Sequence, residues 1–89
     1  MIPSPTEMEY LAILSDFMPR TIADVASRST GQPKLNRVGE SLQRLRKRKL
    51  VTSRKHTNGD ISVVRYEITN AGHDALDAGR KFYRRVSEL

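Results

Sequence analysis

The sequence predicts an α+β fold that is mostly helical, with a three-helix core, a two-stranded ribbon and a C-terminal helix. Three observations carry this prediction. Apolar residues recur at helical spacing in three segments of the first half, each opened by a capping residue or a proline. Asn58-Gly59 then lies between two strand-like runs, which is typical of a tight hairpin. Helical spacing returns after Thr69, and the whole chain, 1–89, has room for one domain.

The first helix should begin at a capping box in residues 4–7 and end at Met18-Pro19, since a residue before proline disfavours helical backbone. Its helical spacing comes from Met8, Leu11, Ala12, Leu14 and Ser15. We expect Ile13, Phe17 and Met18 to fill the core at the end of this helix.

Two further helices should follow. The second begins at Thr21, whose hydroxyl can cap it, and the helix dipole favours Asp24 in its first turn. After turn residues 29–32, Pro33 opens a third helix over 34–48. Its apolar residues recur at steps of three and four and form one stripe that should be buried: Leu35, Val38, Leu42 and Leu45.

The two-stranded ribbon is expected over 51–68. Its turn should place both Asn58 and Gly59 at positive φ, as the tightest hairpins with this dipeptide require. β-Branched residues suit the return strand, and one of its faces carries Val64, Tyr66 and Ile68.

Positive charge is concentrated in the middle of the chain. The formal net charge is +6, yet residues 34–55 alone hold nine basic residues and one acidic residue. Residues 1–33 are slightly acidic, and residues 56–89 are balanced. A solvated helix face is the simpler reading of such a block, but its concentration favours a surface that binds a polyanion.

A short helix, a tight turn, a cationic helix and a hairpin together describe a winged helix-turn-helix. In that arrangement helix 34–48 enters the major groove of DNA, while the wing, 51–68, contacts the minor groove or the backbone. The outward side of the helix carries Lys34, Asn36, Arg37, Glu40, Gln43, Arg44 and Lys47. The tip of the wing is expected to add Arg54, Lys55, His56 and Asn58.

These side chains have distinct expected roles. Arg37 and Arg44 can bind the O6 and N7 atoms of guanine, and Asn36 and Gln43 can pair with adenine. Glu40 could accept a hydrogen bond from cytosine, although orienting one of the two arginines is the simpler use. The lysines suit phosphates. For each wing residue, an ordinary exposed position is an equally good interpretation.

Several of these positions carry a family resemblance: Val38, Leu42, Leu45, Leu50-Val51, Tyr66, Ile68, Thr69 and Gly72. On them the chain resembles winged helix-turn-helix transcriptional regulators of the MarR and PadR type, over residues 6–80. The resemblance implies a regulator that binds DNA. Such proteins usually have glycine before the Leu-Val pair, where the helix ends in a left-handed turn. Lys49 stands there, so this helix is expected to end differently.

The C-terminal helix, 70–88, is expected to form a homodimer. Its apolar residues form a heptad-like seam that starts at Gly72 and that Leu89 could extend. This seam is wider than one small core should need. The residues assigned to the dimer are Leu76, Gly79, Phe82, Tyr83 and Val86. The resemblance implies the same, because such regulators pair through terminal helices. In such a dimer, the third helices of the two subunits would read half-sites roughly 34 Å apart.

Catalytic and metal-binding patterns are not found. The chain has no cysteine, and His56 and His73 lack the spacing of metal ligands. No phosphate-binding glycine loop occurs. We therefore expect no enzyme activity, no metal and no cofactor. No effector is expected either, since the flanking helices that form effector pockets in longer regulators are missing. Without a signal peptide or a long apolar run, the chain is expected to be cytoplasmic.

These observations predict a sequence-specific regulator of transcription, and specifically a repressor that occupies a promoter. Two alternatives remain open. Some winged helices serve only in protein assemblies, and others hold duplex DNA as accessories in replication or recombination. An assembly module would present apolar or acidic residues on the third helix, whereas this one presents Arg37, Arg44 and Lys47.

Overall fold

The computed structural model describes residues 2–87. Its elements are α1 (Pro5–Ile13), α2 (Ile22–Arg28), α3 (Leu35–Lys47), β1 (Val51–Asn58), β2 (Ile61–Ile68) and α4 (Asn70–Ser87). The predicted order of three helices, a hairpin and a last helix is confirmed. Residue 88 of the predicted last helix, and Leu89 of its seam, lie outside the described residues.

Reciprocal hydrogen bonds cap the first two helices. Ser4 Oγ accepts from the Glu7 backbone N–H at 3.2 Å, and the Glu7 carboxylate accepts from the Ser4 N–H at 2.9 Å. Thr21 and Asp24 form the same pair of bonds at the start of α2. Both predicted starts are therefore confirmed, and each satisfies backbone donors that a helix leaves unpaired.

The predicted end of α1 is wrong. The helix stops at Ile13, five residues early, and the chain leaves through a turn in which Phe17 has a left-handed φ of 61°. That turn carries Phe17 and Met18 outward, so they are 50% and 57% exposed instead of lying in the core. Ile13 does pack against the core, as expected.

The core lies where α1, α2, α3, the base of the ribbon and α4 meet. Its fully buried members include Leu11, Leu14, Val25, Val38, Leu42, Leu45, Val51, Tyr66 and Leu76. Leu35, the first residue of α3, was expected in the core but is 56% exposed. The buried arc of α3 is rotated toward Ser41, which takes the fourth interior position, so Leu35 lies on the opposite flank.

The end of α3 corrects a second expectation. Lys49 adopts a left-handed φ of 64°, and the Leu50 N–H donates to the Leu45 carbonyl at 3.0 Å. The Lys49 N–H donates to the Arg46 carbonyl at 2.9 Å, which completes the motif that usually ends in glycine. The helix therefore ends in the left-handed turn after all, with lysine bearing a conformation that costs most residues roughly 1–2 kcal/mol.

The ribbon pairs Val51 with Ile68 at its base and Asn58 with Ile61 at its tip. The loop is therefore Gly59-Asp60, and of its two residues only Gly59 has a positive φ, 64°. This is the φ pattern of a type II′ turn, so the expected turn centred on Asn58-Gly59 is wrong by one residue. Arg20 adds a short bridge to Tyr66, with backbone N···O distances of 3.0 and 2.7 Å.

Thr69 joins the end of α3 to the start of α4. Its hydroxyl lies 2.8 Å from the Lys49 carbonyl and 3.0 Å from the Leu50 carbonyl, and it accepts from the Gly72 N–H at 2.9 Å. A Cβ at Gly72 would overlap the Leu50 carbonyl oxygen. Glycine at this position therefore lets the two helices meet at backbone contact distance.

The first half of α4 packs on α1. Leu76 is 1% exposed, and a Cβ at Gly79 would overlap the sulfur of Met8. These two residues, expected in the dimer seam, instead lie inside the subunit because α4 crosses α1 at small side chains. Tyr83 is also engaged, since its hydroxyl donates to the Pro3 carbonyl at 2.7 Å. None of the helices described over residues 2–87 is long and apolar enough to cross a membrane.

Candidate nucleic-acid interface

Every side chain predicted to contact DNA is exposed, and these residues lie on α3, at Lys34 just before it, and on β1. The leucines of α3 are held in the core, so the helix presents a fixed polar side to solvent. At 100° per residue, the strip opposite Val38 and Leu42 carries Asn36, Glu40, Gln43 and Lys47. Arg37 and Arg44 lie on the flank of that strip nearer α1. The helix thus offers an amide-rich ridge beside an arginine-rich flank.

The arginine flank borders a polar cleft of about 650 Å³ between α3, the start of α1 and the turn before α3. Arg44 Nη2 donates to Ser41 Oγ at 3.1 Å, within the same helix. Glu40 forms no ion pair with either arginine in the described chain, so the role of orienting one of them stays a prediction. Ser41 accepts only one of the guanidinium N–H donors of Arg44, so the others are available to a ligand.

Gln43 has partners within the protein. Its Nε2 donates to the Tyr66 hydroxyl at 2.9 Å, and Arg46 Nη1 lies 3.5 Å from its Oε1. Tyr66 is 2% exposed, so a buried ring fixes an amide that was expected to pair with adenine. To pair with a base, Gln43 would have to exchange these bonds. Asn36 is less committed, since only its Oδ1 is engaged, by the Arg37 N–H at 3.0 Å.

The wing residues are distributed differently from the prediction. Arg54 pairs with Arg65, and Lys55 with Val64, so both lie midway along the ribbon and not at its tip. Only Asn58 adjoins the turn. Because side chains alternate along a strand, Arg54, His56 and Asn58 share one face and Lys55 lies on the other.

Arg54 and Arg65 are direct cross-strand neighbours. Like charges at such positions repel, and neither arginine has an acidic partner within residues 2–87. An anion beside the ribbon would relieve this repulsion. Arg65 is not among the residues predicted from the sequence, because a turn at Asn58-Gly59 would place it opposite Thr52 and not opposite Arg54.

Acidic residues near α2 are engaged locally. The Thr21 backbone N–H, followed by the Thr21 hydroxyl, holds the pKa of Asp24 below its usual value. The Met18 N–H lowers the pKa of Asp16, with Arg20 adding to the effect. Within the described residues no three metal-ligating side chains come together. His73 stacks on Phe17 at 4.5 Å between ring centroids, and its Nε2 lies 2.8 Å from the Ser15 carbonyl, which is a packing role.

These elements form a winged helix-turn-helix, with α2 and α3 as the helix pair and β1–β2 as the wing. Solved structures share this fold. A PadR family transcription regulator from Clostridium difficile R20291 superposes with a TM-score of 0.81 at 17% identity, over 96% of this chain and 93% of that one. No protein-family model and no curated protein matches the chain.

Two longer neighbours extend the comparison. Bordetella bronchiseptica BpsR, whose DNA binding is regulated by 6-hydroxynicotinic acid, gives a TM-score of 0.78 at 20% identity, over 97% of this chain and 63% of that one. Bacillus subtilis PadR, solved with operator DNA, gives 0.71 at 18% identity, over 81% and 45%. This chain therefore spans about two thirds and about half of their lengths. The fold is that of PadR-like regulators, which confirms the predicted fold class.

Proposed function

We propose that this protein is a sequence-specific regulator of transcription that binds double-stranded DNA, with α3 in the major groove and the wing on the minor groove or the backbone. One observation carries the proposal: α3 anchors its leucines in the core and presents Arg37, Arg44 and Lys47 to solvent without acidic partners in the described chain. Phosphate and guanine are the ligands that such donors suit. A DNA-bound neighbour with the same fold supports it.

Repression by occupying a promoter is the mode of action we infer. The cationic face of α3 could cover a promoter directly and needs no further partner. A role confined to protein assembly fits this face poorly, because a partner protein would have to bury several arginines and lysines. Action on DNA also implies a cytoplasmic location. An effector remains unexpected here, although BpsR has one on this fold.

We further infer a homodimer formed through the second half of α4. Phe82 and Val86 are 47% and 50% exposed, one turn apart on the same flank. Ala71 and Ala78 extend this flank toward the start of the helix and are also exposed. A second copy would cover the strip, which we call the α4 flank: Ala71, Ala75, Ala78, Phe82 and Val86. It lies beside the seam expected from the sequence and shares Phe82 and Val86 with it.

Selection of bound sequences from a pool of random duplex DNA tests the proposed function. We expect enrichment of one motif, arranged as an inverted repeat because a two-fold dimer presents two copies of α3. Arg84→Ala is the control, because it removes one positive charge from α4, away from α3. This variant should select the same motif as the wild-type protein. If wild-type protein enriched no sequence at low salt, the proposal would be wrong.

A further inference from the structure

An open depression lies against α3, on the side of the helix that faces away from its buried leucines. Its volume is about 460 Å³, and α2, α3 and β2 bound it. Ile22, Gly39, Gln43 and Tyr66 contribute to its lining. It is open to solvent over most of its extent, unlike an enclosed chamber for a small molecule. A shallow site of this kind suits the edge of a larger ligand.

Glycine at position 39 exposes apolar surface inside this depression. Ile22 is the first residue of α2 and is half-buried. A Cβ at Gly39 would lie 3.2 Å from Ile22 Cδ1, which is tighter than ordinary van der Waals contact. The missing side chain therefore lets the end of Ile22 lie close to the α3 backbone. An aliphatic surface results on a side of α3 that is otherwise polar.

The polar groups at the other end of the depression are bonded to each other. The Gln43 amide donates to the Tyr66 hydroxyl, and this bond holds both side chains in place. This bond engages one amide hydrogen of Gln43 and a lone pair of the Tyr66 hydroxyl. A ligand group that enters at the other end, beside Ile22 and Gly39, meets carbon, which favours an apolar group there.

Charged residues complete the lining: Glu40, Arg44 and Lys47. Two cations beside an apolar surface indicate a ligand that is a polyanion and carries small apolar groups. Duplex DNA fits this description, because the C5 methyl group of thymine is the apolar group on the base edges of the major groove. We propose that the depression receives a thymine methyl group of the bound duplex. The inference rests on the proposed function and deepens it, since it assigns one element of base preference to Ile22.

The test replaces single thymines in the selected duplex by deoxyuridine, which removes the methyl group and keeps base pairing. We expect one thymine in each half-site at which the replacement weakens binding about fourfold, the usual effect of losing one buried methyl or methylene group. The measurement is the dissociation constant of the wild-type protein for each duplex. This part of the test requires no protein variant and so does not depend on how a variant folds.

Ile22→Ala assigns that methyl group to the depression. At the sensitive thymine, we expect the fourfold difference between thymine and deoxyuridine to fall toward unity, and Ile22→Val to give an intermediate ratio. Ile61→Ala is the matched control, because Ile61 is 68% exposed at the wing tip and lies outside the depression. That variant should retain the fourfold ratio.

The outcomes separate the two proposals. A motif that is selected but is insensitive to every thymine replacement would overturn this inference and leave the proposed function standing. A sensitive thymine whose ratio Ile22→Ala and Ile22→Val leave unchanged would also overturn it, because another residue would then contact the methyl group. Failure to select any motif would overturn both.

Discussion

The two long helices, α3 and α4, have similar amphipathic patterns but are covered in different ways. α3 buries Val38, Leu42 and Leu45 completely within the subunit, and its other side is charged. α4 buries its first half against α1 and leaves Phe82 and Val86 half exposed. Amphipathic spacing therefore identifies the residues that share a side, but it does not identify what packs on that side.

Residue size accounts for the difference. α4 carries glycine at two contact positions: Gly72 lies against the Leu50 carbonyl after α3, and Gly79 lies against Met8 of α1, so the helix backbone approaches closely at both. Phe82 and Val86, in the next turns, lie on the adjacent flank and are half exposed. The buried positions of α3 carry Val38, Leu42 and Leu45, whose side chains fill the core themselves. The apolar side of α3 is thus fully covered within its own subunit, whereas α4 still has exposed apolar surface.

The largest effect is expected where α4 is uncovered. Phe82→Asp combined with Val86→Asp should dissociate the proposed homodimer, because about half of each side chain would lose its cover in both subunits, a loss on the order of 4 kcal/mol. Analytical ultracentrifugation measures the change. Ser87→Asp, on another side of the helix, adds the same kind of charge and should leave the dimer intact. A wild-type protein that is monomeric at high concentration would contradict this prediction.

Gly79→Val tests the covered half of α4. The added methyl groups would meet Met8, so the free energy of unfolding should fall by about 1–3 kcal/mol. Chemical denaturation measures the loss. Ala23→Val adds similar bulk at an exposed position of α2, outside the α4 flank, and should cost no more than about 0.7 kcal/mol, from helix propensity alone. Equal losses in the two variants would mean that Gly79 does not lie against α1.

Arg44→Ala on α3 and Arg84→Ala on α4 compare what the two helices contribute to DNA binding. We expect affinity for the selected motif to fall by about 1–3 kcal/mol if Arg44 contacts a base, whereas Arg84→Ala on α4 should have little effect. Titration against the selected duplex and against an unrelated one distinguishes the possible contacts. An equal loss on both duplexes would make Arg44 a phosphate ligand instead.

The smallest effect is expected at the end of α3. Lys49→Gly should raise the free energy of unfolding by about 1 kcal/mol, because glycine adopts positive φ without steric cost. Lys47→Gly, two residues earlier and within the helix, should lower it by about the same amount. Thermal or chemical unfolding of the two variants should therefore show changes of opposite sign. Destabilisation by Lys49→Gly would mean that the lysine side chain stabilises the turn.

Local chemistry explains which parts of the fold the sequence could predict. Capping boxes at Ser4 and Thr21 and the alternation of strand residues depend on near neighbours, and those elements were predicted correctly. The early end of α1 lies at a tight turn, in which the Ser15 N–H donates to the Ala12 carbonyl and Phe17 then adopts a left-handed φ, and no single neighbouring residue indicates it. The one-residue shift of the hairpin turn likewise depends on how the strands pair, since Asn58 and Gly59 are compatible with more than one loop.

The candidate interface shows the same division. Exposure of the α3 cations follows from spacing and was anticipated, because leucines at the opposite positions require a core. The contact between Gln43 and Tyr66 joins residues 23 positions apart and could not be read from either segment. The spacing places Leu35 in the core, but Ser41, a small polar residue, occupies the fourth interior position of α3. Leu35 therefore lies to one side of the buried residues.

The Thr69 hydroxyl fixes the angle between the helix that would read DNA and the helix that would pair two subunits. This one oxygen accepts from the Gly72 N–H and shares its single hydrogen between the Lys49 and Leu50 carbonyls, so it ties the start of α4 to the end of α3. In a dimer held by α4, the distance between the two DNA-reading helices would then be set at this junction, far from any base. An operator with one base pair inserted at its centre would therefore bind more weakly, because the junction at Thr69 would not let the two helices move apart. Every direct contact within each half-site would still be available.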